Sequence, residues 1–177
     1  MKILIPDFVF DSCLDITPGF LSGQGVRGVI LDIDNTLAPY EQAEPEPELI
    51  SWFARLSDAG IRAALVSNND ASRVDLFNRS LGLPAFSNCS KPSKKAVRAA
   101  LGVLGTRKEE TLVIGDQIFT DVLMAHRAGL RAVKVPPIKD KKTLFFRFKR
   151  LLERGPMRAY RRREAKREKA EKNNDSD

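Results

Sequence analysis

The chain has 177 residues, of which 42% are hydrophobic and 30% charged, and it carries a formal net charge of +7. This length suits one domain with a packed core, and no apolar run reaches the roughly 20 residues needed to span a bilayer. Two cysteines and one histidine exclude a disulfide framework and a zinc site of the usual kind. Because the N-terminus also lacks the pattern of a cleaved secretory signal, we expect a cytoplasmic protein.

Short apolar runs alternate with amphipathic stretches in the first three quarters of the chain. Predicted strands cover residues 29–33, 61–66, 85–86, 111–114 and 130–135. Predicted helices cover residues 46–59, 71–81, 93–104 and 121–128. Continuous apolar strands alternating with helices are typical of an open parallel sheet covered on both faces. The sequence therefore predicts a single α/β domain with about five parallel strands over residues 28–137, preceded by a lead segment of residues 1–27.

Residues 138–177 differ from this domain in charge and pattern. The charges nearly balance up to residue 138, whereas residues 139–177 hold 15 basic and 7 acidic side chains. Apolar residues then recur at the spacing of one helical face, at Leu144, Phe145, Phe148, Leu151 and Leu152. This amphipathic helix is predicted to end at Gly155-Pro156, with a frayed or solvated charged helix over residues 158–172 and disorder over residues 173–177.

The basic tail predicts contact with a polyanion, either a membrane surface or a nucleic acid. We expect its apolar stripe to lie on an anionic membrane, at the inner face of the cell, and packing of the stripe on the domain is the alternative. The side chains predicted to make this contact are Phe145, Arg147, Phe148, Lys149, Arg150 and Arg154.

Polar side chains follow three of the predicted strands, at the edge where ligands bind in open parallel sheets. The sequences at these strand ends are Asp32-Ile33-Asp34-Asn35-Thr36, Ser67-Asn68-Asn69 and Gly115-Asp116-Gln117. Carboxylates so close together repel one another unless a cation lies between them, and an all-oxygen ligand set favours Mg²⁺. A hydroxyl and the ammonium of Lys91 would bind the remaining oxygens of a phosphate. The set predicts phosphoryl chemistry.

Four motifs at these positions resemble those of the haloacid dehalogenase (HAD) superfamily. They are Asp32-x-Asp34-x-Thr36, Ser67, Lys91 and Gly115-Asp116-x4-Asp121. The finer resemblance is to the YqeG group of small HAD phosphatases, which includes phosphatidylglycerophosphate phosphatases, and it spans nearly the whole chain. Asn35 replaces a glycine that is common in the superfamily, and asparagine is among the residues that best tolerate a left-handed backbone. The resemblance implies an uncapped, Rossmann-like HAD domain.

The resemblance also implies a role for each matched residue. Asp32 would attack phosphorus, and Asp34 would protonate the leaving oxygen and then activate water. Ser67 and Lys91 would bind the phosphoryl group. Mg²⁺ would be held by Asp32, Asp116 and the backbone carbonyl of Asp34. The residues expected to support the site are Asn35, Thr36, Asn68, Asn69, Gln117 and Asp121, of which Asp121 is either a further acidic ligand or only a helix N-cap.

The spacing of the motifs bears on the substrate. The segments between Asp34, Ser67 and Lys91 are too short for a cap domain, and an open site suits a phosphate carried by a large molecule. The resemblance and the tail together favour a phospholipid headgroup, with phosphatidylglycerophosphate as the first candidate. A polynucleotide, nucleotide or phosphoprotein phosphatase is the alternative enzyme. A non-catalytic module that binds a membrane or RNA is the alternative of another class.

Overall fold

The structure is a computed structural model that describes residues 2–139 and 144–174, apart from the side chains of residues 144–150, 171, 173 and 174. Its strands are β1 (Phe8–Val9), β2 (Gly28–Leu31), β3 (Arg62–Val66), β4 (Ala85–Phe86), β5 (Thr111–Gly115) and β6 (Arg131–Lys134). Within the described ranges these strands form one parallel sheet with the order β1-β6-β5-β2-β3-β4. The predicted parallel α/β fold is confirmed.

Six α-helices accompany the sheet in the part of the chain that the structure describes. They are α1 (Pro18–Gly23), α2 (Pro47–Asp58), α3 (Ala71–Asn78), α4 (Lys95–Leu104), α5 (Leu123–Ala128) and α6 (Leu144–Asn174). A π-helical turn, Ile118–Val122, leads into α5. Short 3-10 helices lie at Lys2–Leu4, Cys13–Asp15 and Lys108–Glu110.

The two faces of the sheet bury separate apolar cores because side chains alternate along each strand. On one face, Leu31 and Leu65 pack in a core with Trp52 of α2 and Phe77 of α3. On the other face, the core that contains Ile30 includes these residues of β5, α4 and α5: Val113, Val97, Ala100, Met124 and Ala125. Strand β2, which is buried along its whole length, lies between β3 and β5 and so delivers its following residues to the middle of the sheet edge.

The lead segment contributes one strand more than the predicted five. Phe8 and Val9 pair in parallel with Val133 and Lys134 of β6. Two residues are too short to show a strand period, so the pattern of the segment did not reveal this edge strand.

The C-terminal helix continues through Pro156, and the predicted end at Gly155-Pro156 is wrong. A proline inside a helix removes one hydrogen bond and costs about 3 kcal/mol. Tertiary contacts on both sides of Pro156 offset that cost. Glu153 Oε1 accepts a hydrogen bond from Ile118 N at 3.0 Å, and Arg163 Nη2 donates to Pro6 O at 2.7 Å.

Helix α6 extends to Asn174, so the disorder predicted for residues 173 and 174 is also wrong, whereas residues 175–177 lie outside the described residues. None of the helices in the described part of the chain combines the length and apolarity needed to cross a membrane.

Candidate active site

Three buried carboxylates meet at the carboxyl edge of the sheet. Asp32 follows β2, Asp116 follows β5, and Asp121 lies within the π-helical turn. One oxygen of each lies within 4.8 Å of the other two. The structure thus brings Asp32 and Asp116 together as expected from the strand ends. It also places Asp121 in the same cluster, where its Oδ2 accepts from Gln117 N at 3.1 Å, so Asp121 is not merely a helix N-cap.

Lys91 reaches this cluster from the loop after β4. Its Nζ donates to Asp32 Oδ1 and, at 2.7 Å, to Asp121 Oδ1, and its side chain is 3% exposed. Asn68 holds the loop in place because its Oδ1 accepts from Lys91 N at 2.6 Å. A buried ammonium therefore lies between two of the three carboxylates.

The charges of this cluster perturb the pKa values of its members. Burial raises the pKa of Asp32 to about 7; Lys91 opposes this rise and Asp121 adds to it. Burial acts to lower the pKa of Lys91, but Asp121 and Asp32 outweigh it and the pKa is raised. Lys91 is therefore an ammonium at neutral pH. When all three carboxylates are ionised, the cluster has two negative charges in excess, and its oxygen-only donor set fits a hard divalent cation such as Mg²⁺.

Asp34 also lines the pocket, and its carboxylate is held by two side chains of the segment that follows β3. Its Oδ2 accepts from Asn69 Nδ2 at 3.2 Å, and its Oδ1 accepts from Arg73 Nη2 at 3.3 Å. Tyr40 donates its hydroxyl to Asn69 Oδ1 at 3.5 Å. Sequence reasoning missed Arg73 and Tyr40. The only available signal for Arg73 was its place in the first turn of the helix that follows Ser67-Asn68-Asn69.

Backbone and hydroxyl groups complete the loop after β2. Asn35 has a φ of 63°, so this asparagine adopts the left-handed backbone that its residue type tolerates. Thr36 Oγ1 donates to Asp32 Oδ2 at 3.3 Å. Ser67 is buried, and its Oγ accepts from Asn69 N at 3.0 Å. Each of these side chains lies at a strand end, as predicted.

A cavity of about 190 Å³ opens above Asp32. Its lining residues are Asp32, Asp34, Asn35, Tyr40, Asn68, Asn69, Lys91, Gln117 and Thr120. Residues 34–91 are all described, and between the motifs they contain only α2, β3, α3 and β4 as regular elements. No cap domain is therefore inserted there, in agreement with the motif spacing.

The residues predicted to contact a polyanion lie on α6. Arg154 is exposed. The side chains of Phe145, Arg147, Phe148, Lys149 and Arg150 lie outside the described residues, so their role stays a prediction.

Comparisons with known proteins agree with this arrangement. A family model described as HAD-hydrolase-like matches residues 88–137. The probable phosphatase YqeG of Bacillus subtilis (strain 168) is 37% identical over 162 residues, which are 92% of this chain and 94% of that protein. The chloroplastic phosphatidylglycerophosphate phosphatase 1 of Chlamydomonas reinhardtii is 27% identical over 127 residues, 67% of this chain, and the match spans only about half (47%) of the algal protein.

A solved structure supports the fold. The HAD phosphatase from Thermococcus onnurineus superposes with a TM-score of 0.54 at 15% identity, covering 67% of this chain and 90% of that one.

Proposed function

This chain belongs to the HAD phosphatase family, and from that premise we propose that it hydrolyses a phosphate monoester with Asp32 as the nucleophile. The observation that carries the proposal is the position of Asp32 in the pocket, in contact with Lys91 and within 4.8 Å of the carboxylates of Asp116 and Asp121. A carboxylate can attack a dianionic phosphate only where positive charge offsets their repulsion. Lys91 supplies one such charge here, and a divalent cation held by the three carboxylates would supply more.

Each site residue has its own role in the proposed reaction. Asp32 forms a bond to phosphorus while the bond to the leaving oxygen breaks, and Asp34 gives that oxygen a proton. Asp34 then takes a proton from water, which cleaves the aspartyl-phosphate and restores Asp32. Lys91 and Ser67 bind the phosphoryl oxygens. A Mg²⁺ ion bound by Asp32, Asp116 and the Asp34 backbone carbonyl, with Asp121 beside it, would supply further charge neutralisation.

We propose that the substrate is a phospholipid with a phosphorylated headgroup, and that phosphatidylglycerophosphate is the first candidate. An uncapped pocket leaves room for a phosphate carried on a large molecule, and the algal relative is named for that lipid. The positive charge of helix α6 also supports an anionic membrane as the partner. Its exposed basic side chains within the described part of the helix include Arg154, Arg158, Arg161, Arg162, Lys166, Arg167, Lys169 and Lys172.

The direction of α6 bears on how a membrane would meet the pocket. Glu153 contacts Ile118 beyond the carboxyl end of β5, whereas Arg163 contacts Pro6 and Asp7 just before β1. The helix thus runs antiparallel to the strands. Residues 144–152 precede Glu153 and extend the helix by roughly 14 Å beyond the carboxyl edge of the sheet, where the pocket lies. Leu151 and Leu152 there are 53% and 47% exposed. We propose that this end of α6 lies on an anionic membrane, so that the pocket faces the headgroups.

The first experiment is phosphate release from phosphatidylglycerophosphate in mixed micelles, with and without Mg²⁺. We expect metal-dependent release that Asp32→Asn abolishes and that Asp58→Asn, a change of the same kind at an exposed position on α2, leaves intact. Cleavage of an aryl phosphate without cleavage of the lipid would contradict the lipid substrate and direct attention to nucleic-acid and phosphoprotein substrates. Release that survives Asp32→Asn would contradict the mechanism.

A second experiment addresses the membrane. Co-sedimentation with phosphatidylglycerol vesicles should exceed that with phosphatidylcholine vesicles and fall when Leu151 and Leu152 are both replaced by serine. Val103→Ser, at a residue of α4 that is 60% exposed, is the matched control. Equal sedimentation of all variants would contradict the proposed contact.

A further inference from the structure

Two buried charged side chains outside the pocket hold one short segment of backbone. Lys134 at the end of β6 is 6% exposed, and its Nζ donates to Asp116 O at 2.9 Å and to Val135 O at 3.2 Å. Glu153 of α6 is 5% exposed, and its Oε1 accepts from Ile118 N at 3.0 Å. A cationic group thus binds the carbonyl of Asp116 while an anionic group binds the amide of Ile118, two residues further on.

The segment between these contacts carries the acidic ligands of the site. Asp116 is at its start, and Ile118 begins the π-helical turn that contains Asp121. The backbone amide of Gln117, in the middle, donates to Asp121 Oδ2. A displacement of Ile118 would therefore move the carboxylates of Asp116 and Asp121 relative to Asp32.

Burial of a charged side chain is unfavourable unless hydrogen bonds compensate for the lost hydration. Glu153 is one of few acidic residues in a strongly basic helix, and it is turned inward to a backbone amide. Charged groups make stronger hydrogen bonds to backbone amides than neutral ones do. A contact that only fastened α6 to the domain could be apolar. The use of a carboxylate at Ile118, where the π-helical turn with Asp121 begins, indicates that the position of this turn matters.

We propose that Glu153 is a positioning residue that sets the Asp116–Asp121 segment for metal binding, so that the C-terminal helix is part of the framework of the metal site. Lys134 holds the same segment from its other end. The inference rests on the proposed metal-dependent function, because it assumes that a divalent cation binds among Asp32, Asp116 and Asp121.

The test measures metal binding directly in the full-length protein. Mn²⁺ is titrated into metal-free protein, and free Mn²⁺ is followed by electron paramagnetic resonance. Loss of an outer contact of a metal site lowers metal affinity by roughly tenfold or more, so we expect the Kd of Glu153→Ala to rise about tenfold. Glu153→Gln, which keeps a neutral acceptor, should raise it about threefold. Glu168→Ala, at an exposed position of the same helix, should leave it unchanged.

Kinetics give an independent readout. With an aryl phosphate at saturating Mg²⁺, Glu153→Ala should lower kcat, because the change misplaces the metal ligands Asp116 and Asp121 relative to Asp32. A melting temperature measured beside each titration separates positioning from folding. Lower thermal stability with the Mn²⁺ affinity of the unaltered protein would overturn the inference and leave Glu153 as a fastening residue.

Failure of the two proposals can be told apart. If the unaltered protein binds no Mn²⁺, the proposed metal dependence is wrong and the inference falls with it. If the unaltered protein binds Mn²⁺ and both Glu153 variants bind it equally well, only the inference is overturned. Should Glu153→Ala fail to fold, Glu153→Gln decides alone, and unchanged affinity in that variant overturns the inference.

Discussion

Arg73 Nη2 lies 3.3 Å from Asp34 Oδ1 and joins α3 to the loop after β2 across 39 residues of sequence. The pair is largely withdrawn from solvent, with side chains 13% and 16% exposed. Arg73 is itself held in place, because its guanidinium lies 5.3 Å from the ring centre of Phe77 and its Nη1 donates to Ala43 O at 3.4 Å. The carboxylate that we propose as the acid and base of the reaction therefore has a fixed cationic neighbour.

Replacement of Arg73 by alanine should lower kcat for an aryl phosphate about tenfold, with KM little changed. Without the guanidinium, the Asp34 carboxyl can rotate away from the leaving oxygen, and proton transfer depends strongly on that geometry. Initial rates at several substrate concentrations measure the effect. Arg79→Ala, at an exposed arginine just after the same helix, is the control. A kcat equal to that of the unaltered protein would show that Arg73 does not orient Asp34.

The sequence was sufficient to locate most of the pocket. Asp32, Asp34, Ser67 and Asp116 were predictable because each follows a parallel strand, and all such strand ends lie on one edge of the sheet. Arg73 and Tyr40 were not predictable, because their approach to Asp34 and Asn69 depends on how a helix and a loop pack. No periodicity in a single sequence encodes that packing.

The errors at the two termini have a common physical cause. Local signals describe what a segment does by itself, and Pro156 by itself predicts the end of a helix. Helix α6 continues through this residue because distant groups, Ile118 and Pro6 among them, bond to its side chains. Strand β1 likewise exists through its pairing with β6, which two residues of sequence cannot reveal.

A substitution at Gly115 tests how tightly Asp121 is packed against this glycine. A Cβ at this position would overlap Cβ and Cγ of Asp121 and lie 2.6 Å from its Oδ2. Gly115→Ala should therefore displace Asp121, weaken Mn²⁺ binding, and lower the free energy of unfolding by about 1–3 kcal/mol through overpacking. Urea denaturation and Mn²⁺ titration measure the two effects.

The control for Gly115 is another glycine with open space around it. Gly102 lies in α4, and a Cβ there would meet nothing within 4 Å. Gly102→Ala should raise the free energy of unfolding by about 0.5–1 kcal/mol, because alanine is the better helix former, and should not alter Mn²⁺ binding. Equal effects of the two substitutions would contradict the proposed crowding at Asp121.

Asp32→Asn should stabilise the metal-free protein while it abolishes turnover. Burial raises the pKa of Asp32 to about 7, which means that the fold disfavours the ionised carboxylate. Above that pH the Asp32 carboxylate is charged and buried in the folded state, whereas water solvates it in the unfolded chain. Replacing it with the neutral amide of asparagine therefore removes a free-energy cost of folding. We expect a higher melting temperature for Asp32→Asn at about pH 8 in the presence of a chelator, and no comparable rise for Asp58→Asn. A lower melting temperature would indicate that the contact with Lys91 outweighs burial.

Added Mg²⁺ should reverse this order of stability. An ion that binds only the folded protein raises its melting temperature in proportion to the logarithm of its concentration over Kd. The unaltered protein has three carboxylates within 4.8 Å, whereas Asp32→Asn has two, so the shift produced by Mg²⁺ should be larger for the unaltered protein. Thermal unfolding at several Mg²⁺ concentrations measures this shift, and an equal shift in both proteins would place the ion elsewhere.

His126 and Asp7 should make the stability of the fold depend on pH near neutrality. His126 Nε2 lies 2.8 Å from Asp7 Oδ2, and Nδ1 lies 2.8 Å from Ile3 O. Both ring nitrogens thus face acceptors, a situation that only the doubly protonated imidazolium satisfies with two N–H donors. The hydrogen bond to Asp7 raises the pKa of His126, although burial and Arg163 oppose the rise.

The sign of the pH effect follows from that direction. A raised pKa gives stability that is fully present below the unfolded value of about 6.5 and is lost as the pH rises through the folded value. The free energy of unfolding of the unaltered protein relative to His126→Gln should therefore decrease between about pH 6 and pH 9, by at most about 1 kcal/mol for a partly exposed pair. Urea denaturation of both proteins across this range measures the difference, and a difference that does not change with pH would mean that His126 is neutral in the fold. In Asp7→Asn the dependence should largely vanish, because the hydrogen bond from His126 to the Asp7 carboxylate is the largest cause of the raised pKa.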